Sequence, residues 1–171
     1  MLNIINNLAP FFEDCYRRIS VREYSKLIKV SPPTASKLLK DYNNQGLLNK
    51  NEELRHLFFS ANRENRDFID FSRVYWRKKL EKLSLSLQQK LTQPAAVLFG
   101  SLAKAEVRKD SDVDIYLFSQ IKEPVNFENL EKELGRKISI FQSRSIGAIK
   151  NVNLLNNVLN GYLLFGRLKL K

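Results

Sequence analysis

Apolar residues recur at helical spacing along the first third of the chain, and this pattern predicts three short helices followed by a β-hairpin. In Leu2–Tyr16 the apolar side chains stand three or four residues apart, as they do along one face of an amphipathic helix. Ser20, with a glutamate three residues on, is typical of a helix start, because its side chain can accept a bond from a backbone N–H. Ser31 and the two prolines after it open a third helix. Gly46 ends that helix, and Leu47-Leu48 begins a short strand. Asn49–Glu53 is predicted as a turn and Leu54–Ser60 as a second strand.

The longest helical pattern lies in Asn62–Leu91. Phe68, Trp76 and Leu83 belong to an apolar stripe whose members are three or four residues apart, and lysines and arginines occupy the other positions. No glycine or proline interrupts the pattern before Pro94. We therefore predict one long connecting helix with a basic outer face.

The rest of the chain alternates short apolar runs with helical patterns, which is typical of an α+β domain. The predicted strands are Ala95–Phe99, Val113–Phe118 and Arg136–Gln142, and the predicted helices are Asn126–Gly135 and Ile146–Asn160. The expected fold class is therefore α+β, with a C-terminal mixed sheet flanked by helices. The predicted domains are residues 1–61, a connecting helix over residues 62–93, and residues 94–171.

The segment Ser20–Tyr42 has the pattern of a helix-turn-helix, and with the hairpin that follows it resembles the winged-helix fold of DNA-binding regulators. In that fold the second helix of the motif faces the major groove, and the hairpin lies near phosphate. The resemblance implies that DNA is bound by Pro33, Thr34, Ser36, Lys37 and Lys40, with Lys50 on the hairpin. The same module can serve protein contacts or dimerisation alone, and this alternative stays open.

Charge and cysteine content narrow the class of partner and of site. The chain has 29 Lys and Arg against 18 Asp and Glu, a net charge of +11, which favours a polyanionic partner such as nucleic acid or nucleotide phosphates. Cys15 is the single cysteine, so no internal disulfide can form and no zinc site can be built from thiolates. We recognise no cleavable signal and no membrane-spanning stretch, and we expect a cytoplasmic protein that does not act in a membrane.

The candidate chemistry lies at the ends of two predicted strands. A glycine after the first strand, Gly100, lets the backbone approach a ligand closely, and Ser101 stands near a helix start, where free N–H groups favour phosphate. Asp112 and Asp114 point to one side of the second strand, because side chains alternate between the faces of a sheet. Two adjacent carboxylates repel each other unless a cation lies between them, and hard oxygen ligands suit Mg²⁺.

Two other interpretations of the aspartates are possible. They can belong to a solvated, charged strand start, as runs of charge usually do. They also mimic the opening of a calcium loop, but Ile115 stands where that loop requires its turn glycine.

The phrases LFGS, AKAE and DSDVDIYLF together resemble the nucleotidyltransferase signature of the DNA-polymerase-β-like superfamily, most of all that of the minimal nucleotidyltransferases of bacteria and archaea. The resemblance implies a Mg²⁺-dependent transfer of a nucleoside monophosphate from an NTP, ATP in the first place, to a hydroxyl group of a protein or nucleic acid. The residues that it implicates are Gly100 and Ser101 at the NTP phosphates, Asp112 and Asp114 at Mg²⁺, and Lys104 and Arg108 as neutralising cations.

The third predicted strand departs from that signature. Many members of the superfamily have a third carboxylate there, whereas GRKISIF has Ser139 at that place. The third acid normally ligates metal and deprotonates the attacking hydroxyl group, and serine does neither well at neutral pH. Either two aspartates suffice, with a base from the substrate, water or a partner, or the domain binds nucleotide and does little chemistry.

Two classes of function therefore stay open. The chain is either a nucleotidyltransferase that carries a winged helix, or a DNA-binding regulator or antitoxin-like protein whose transferase domain is weak or inactive. The aspartate pair favours the first class, and Ser139 together with the basic charge favours the second. The resemblance to minimal nucleotidyltransferases also implies a toxin-like partner protein, and a homodimer is a further expectation because winged-helix regulators often dimerise.

Overall fold

The computed structural model describes residues 2–53, 56–120 and 127–169. The chain forms two compact units. The first contains Met1–Tyr75 and Ala105–Lys109, and the second contains Trp76–Lys104 and Asp110–Lys171. The predicted limits of independently folding domains, after residues 61 and 93, remain predictions.

Helices and a small antiparallel sheet make up the first unit, which the chain leaves within α4. Its elements are α1 (Leu2–Glu13), β1 (Ile19–Ser20), α2 (Val21–Leu27), α3 (Pro32–Asn44), β2 (Leu48–Glu53), β3 (His56–Ala61) and α4 (Arg66–Lys79). The strands lie in the order β1-β3-β2. The predicted turn over Asn49–Glu53 is wrong, because these residues continue β2 and pair with β3. The largest buried side chains of the unit are aromatic: Phe11, Phe12, Tyr24, Phe59 and Phe68.

Both helix starts read from the sequence are confirmed. The side chain of Ser20 accepts a bond from the backbone N–H of Glu23, and that of Ser31 accepts one from the N–H of Thr34. These bonds satisfy donors that have no partner inside the helix, so they define where α2 and α3 begin.

The prediction of one long connecting helix is wrong. Two helices occupy that segment, α4 and α5 (Glu81–Lys90), and they meet at Leu80. Helical bonds continue on both sides, since the Leu80 N–H donates to the Trp76 carbonyl and the Ser84 N–H donates to the Leu80 carbonyl. The apolar stripe stays buried through Leu83 and Leu87. Periodicity reports which face is buried, and that face does not change where the helix is interrupted.

A four-stranded mixed sheet forms the centre of the second unit, which confirms the α+β prediction. Its elements after α5 are β4 (Ala95–Phe99), α6 (Gly100–Lys104), β5 (Val113–Phe118), α7 (Glu128–Leu134), β6 (Ile138–Ser143), α8 (Val152–Leu159) and β7 (Tyr162–Phe165). The strand order is β6-β5-β4-β7, with β5 and β6 parallel and the other pairs antiparallel. The last predicted helix is in fact a 3₁₀ turn, Ile146–Ala148, followed by α8.

One face of this sheet carries a hydrophobic cluster. Val97, Phe99, Tyr116 and Phe118 on β4 and β5 pack with Val158 of α8. Residues 121–126, which include the first residue of the predicted Asn126–Gly135 helix, lie outside the described residues. None of the helices in the described ranges has the length and apolar character needed to cross a bilayer.

Candidate functional site

Gly100 and Asp114 meet where β4 ends. In the antiparallel pairing of β4 with β5, Phe99 is opposite Asp114, so the next residue, Gly100, turns directly beside that carboxylate. Gly100 has a φ of +71°, and a Cβ added to it would collide with Oδ2 of Asp114 and lie 3.3 Å from its Cγ. Only glycine combines this backbone conformation with so close an approach. The Gly-Ser turn and the second aspartate, singled out from the sequence, are therefore brought together.

The two aspartates differ in burial, and the charge of Asp112 acts on Asp114. Asp112 is exposed just before β5, and Asp114 is partly buried within it. Burial raises the pKa of Asp114, and the negative charge of Asp112 raises this pKa further. Both causes disfavour the ionised pair, and a bound cation would relieve both. The donor set therefore fits a hard divalent cation, which takes one or two carboxylates from a protein and completes its shell elsewhere.

Ser139 occupies the neighbouring place on β6. The parallel register pairs Asp114 with Ser139, so the two side chains project from the same face of adjacent strands. Nowhere in the described part of the chain do three or more His, Cys, Asp or Glu side chains form a group that could hold a metal ion. The site thus offers two carboxylates and a hydroxyl group at the position where the superfamily pattern often has a third acid.

Arg136 holds the loop that carries Asp112, and sequence reasoning missed it. Its side chain is only 7% exposed, and its Nη1 donates a hydrogen bond of 2.7 Å to the backbone carbonyl of Ser111. Its guanidinium lies 5.2 Å from the centre of the Trp76 ring. A second link runs from the N–H of Val113 to the carbonyl of Lys137, at 2.8 Å. The available signal was an arginine placed directly before a strand that pairs with the Asp-bearing strand.

The two predicted phosphate-binding cations have other partners. Lys104, at the end of α6, donates from Nζ to Oδ1 of Asn157 on α8, at 3.0 Å. Arg108 belongs to the first unit, where its guanidinium lies 4.0 Å from the centre of the Tyr16 ring. The guanidinium of Arg63 lies 4.1 Å from the same centre. Both cations are exposed.

The predicted DNA-contacting residues line one side of α3. Pro33, Thr34, Lys37 and Lys40 are exposed, and Ser36 is partly exposed. The opposite side of α3 is buried through Ala35, Leu39 and Tyr42. Lys50 is exposed on β2, where it pairs with Phe59. The helix therefore presents a polar, basic face at the positions that the sequence indicated.

Comparison with protein families gives a match that covers the aspartate site and not the exposed face of α3. The model of the family described as Polymerase beta, Nucleotidyltransferase matches residues 81–168, just over half of the chain. That range includes Gly100, both aspartates and Ser139. Among the curated proteins, none matches this chain.

Proposed function

The chain belongs to the Polymerase beta, Nucleotidyltransferase family, and we propose that it transfers a nucleoside monophosphate from an NTP, ATP in the first place, to a hydroxyl group of an acceptor with the help of Mg²⁺. The observation that carries the proposal is the close approach of the Gly100 backbone to a partly buried carboxylate that has a second carboxylate beside it. Nucleotidyl transfer needs a triphosphate and a divalent cation held side by side. This turn and aspartate pair are suited to hold them.

Each residue of the site has a stated role in this proposal. Asp112 and Asp114 would hold Mg²⁺ through their carboxylate oxygens, and the cation would neutralise charge on the phosphates. Gly100 and Ser101 would bind the β- and γ-phosphates, because no side chain at Gly100 blocks the approach of the triphosphate. Arg136 would keep Asp112 in place through the Ser111 carbonyl. Lys104 and Arg108 would act on phosphate only after leaving their present contacts.

The reaction itself exchanges a phosphoanhydride bond of the NTP for a phosphoester bond to the acceptor. The acceptor oxygen forms a bond to the α-phosphorus of the NTP, and the bond from that phosphorus to the bridging oxygen breaks, so pyrophosphate leaves with the electron pair. The acceptor's proton passes to a base. Ser139 is a poor base at neutral pH, so the proton would go to solvent or to a group on the substrate. A slow chemical step is therefore expected relative to a site with a third carboxylate.

Calorimetric titration of ATP and the other NTPs into the protein, with and without Mg²⁺, tests this proposal. We expect Mg²⁺-dependent binding in the wild type and its loss in the Asp112→Ala/Asp114→Ala protein. Asp110→Ala is the matched control, since Asp110 is an exposed aspartate of the same loop. Binding that is equally strong in the double variant would contradict the site assignment.

A second candidate function is a DNA-binding regulator or antitoxin-like protein, in which the transferase domain binds nucleotide with little turnover. Two observations favour it: the exposed basic face of α3, and Ser139 beside Asp114. In this proposal the three helices and hairpin of the first unit act as a winged helix on DNA, and a toxin-like protein or a second copy of the chain is the partner.

Duplex DNA binding over a salt series tests the second candidate. The slope of log K against log salt is negative, and each phosphate contact that is lost should reduce its magnitude by about 0.9. Lys37→Ala/Lys40→Ala should therefore reduce this magnitude by roughly 1.8. Lys90→Ala/Lys132→Ala removes the same charge from exposed positions of the second unit and serves as the control. Equal slopes in the two double variants would argue against DNA binding by α3.

A further inference from the structure

A basic cavity lies at the end of the sheet remote from Asp114. It has a volume of about 630 Å³, and Ala95 and Phe118, which pair at that end of β4 and β5, form part of its wall. The cations that line it are Arg144, Arg167 and Lys169, and all three are exposed. Thr92, Ser119 and Ser145 add hydroxyl groups, and no acidic side chain is among the described lining residues. Like charges gathered without an acid favour an anionic ligand.

An exposed aromatic ring lies between this cavity and the aspartate pair. Phe141 is 42% exposed on β6, which is an edge strand of the sheet. Its ring is nearly parallel to that of Tyr116, at 11° and 6.4 Å, and contacts Phe99 edge-on at 5.6 Å. Phe141 is two residues from Ser139, so the two side chains lie on the same face as Asp114.

These features follow one another along β6. Ser139 pairs with Asp114, Phe141 with Tyr116, and Ser143 with Phe118, and Arg144 comes next. The step from Asp114 to Phe118 spans four residues, roughly 13 Å at the usual rise per residue. A nucleic-acid strand carries one phosphate per about 3.4 Å of helical rise. The basic cavity therefore falls about four nucleotides from the aspartate pair along a stacked strand.

We infer that the acceptor is a single-stranded nucleic acid lying along β6, with its end hydroxyl at the aspartate pair, a base on Phe141 and a phosphate in the basic cavity. Proteins that bind single strands combine a positive groove with aromatic rings on which bases stack, and this edge has both. The exposed ring and the three cations, with no acid among the described lining residues, match the bases and phosphates of a nucleic acid more closely than an unmodified protein segment. The inference rests on the proposed nucleotidyl transfer and names the class of its acceptor.

The test measures binding of short fluorescein-labelled oligothymidylate and oligouridylate to the full chain by anisotropy, without NTP, over a salt series. Phe141→Leu keeps an apolar side chain but removes the ring, and affinity should fall by about fivefold to a hundredfold. The matched control is Leu163→Ala, which shortens a side chain that is 41% exposed on β7 at the other edge of the sheet. The two oligonucleotides show whether the strand is DNA or RNA.

The charge arm of the test uses Arg144→Glu/Arg167→Glu against Arg77→Glu/Lys78→Glu, two exposed cations of α4. Loss of the phosphate in the basic cavity should lower the magnitude of the salt slope by roughly 0.7 for a single strand, beyond any change in the control. Thermal unfolding of each variant verifies that it is folded. The inference is supported if Phe141→Leu lowers the affinity and Arg144→Glu/Arg167→Glu lowers the salt dependence, while the control variants change neither. No oligonucleotide binding, or equal affinity in all proteins, overturns it.

Failure of this inference can be told apart from failure of the proposed function. If NTP binding depends on Mg²⁺ but oligonucleotide affinity does not change on substitution of Phe141 and Arg144, only the nucleic-acid acceptor is overturned. Oligonucleotide binding that depends on these residues, in a protein that binds no NTP, overturns the transfer reaction and leaves a single-strand binding edge.

Discussion

Ser139 lies directly beside Asp114 in the parallel pairing of β5 and β6. We expect Ser139→Asp to place a third carboxylate next to the existing pair. Mg²⁺ affinity should rise, and nucleotidyl transfer should accelerate by on the order of a hundredfold, the lower end of what a positioned base contributes. Mg²⁺ titration and transfer of a labelled nucleotide to an oligonucleotide measure the two effects.

The same variant should be less stable without metal, because a third negative charge adds repulsion at the aspartate pair. Ser139→Asn is the control for Ser139→Asp, since asparagine has nearly the same shape as aspartate but carries no charge. If Ser139→Asp and Ser139→Asn behave alike in Mg²⁺ titration, Ser139 does not occupy a metal-ligand position.

Replacement of Gly100 by alanine separates backbone strain from the approach to Asp114. Gly100 and Gly135 both have positive φ, +71° and +65°, but an added Cβ meets Asp114 at Gly100 and has nothing within 4 Å at Gly135. Gly135→Ala should therefore cost only the left-handed backbone penalty, about 1 kcal/mol. Gly100→Ala should cost more in a denaturant titration and should also abolish Mg²⁺-dependent NTP binding. Equal losses of stability would show that the Asp114 carboxylate moves away freely.

Arg136→Met should weaken nucleotide binding through the Ser111–Asp112 loop. The hydrogen bond from a charged donor to the Ser111 carbonyl is worth roughly 1.5–3 kcal/mol. Methionine has a side chain of similar length, but it can neither donate this bond nor place a cation over the Trp76 ring. We expect a lower midpoint of thermal unfolding and weaker Mg²⁺-dependent NTP binding at a temperature where the variant is folded. Arg136→Lys should restore part of both. NTP binding that stays at the wild-type level in folded Arg136→Met would limit Arg136 to a stabilising role.

The charge on Asp114 should make metal-free stability depend on pH. The raised pKa means that the folded protein holds this proton more tightly than the unfolded chain. Above both pKa values the ionised group therefore costs stability, and the cost is lost as the pH falls through the raised pKa. Without metal, Asp114→Asn should unfold at a higher temperature than the wild type at neutral pH. The difference should shrink toward the ordinary Asp pKa of about 3.9.

Mg²⁺ should reverse this order, because it stabilises the wild-type carboxylate pair and finds one ligand fewer in Asp114→Asn. Asp110→Asn, at an exposed aspartate of the same loop, is the control for a general change of charge. A wild type that Mg²⁺ leaves unchanged at millimolar concentration would speak against a cation at the pair.

The local sequence was sufficient for features that depend on nearest neighbours along the chain. The Ser20 and Ser31 helix starts are side-chain bonds to residues three positions on, and β4 and β5 are short apolar runs bounded by turn residues. The Gly-Ser turn and the paired aspartates could be named for the same reason, since a strand fixes which side chains share a face. The interruption of the helix at Leu80 could not be predicted, because the buried apolar stripe is continuous across it.

What only the tertiary structure decided are the contacts between residues distant in sequence. The β4–β5 pairing brings Gly100 to Asp114, the parallel β5–β6 register brings Ser139 to the same carboxylate, and Arg136 reaches the Ser111 carbonyl. The sequence predicted that Lys104 and Arg108 bind phosphate. In the structure Lys104 instead donates to Asn157, and the guanidinium of Arg108 lies over the Tyr16 ring. Composition and periodicity indicate which residues are buried and which functional groups the chain has. Strand register determines which side chains meet, because a shift of one residue would move every side chain to the other face.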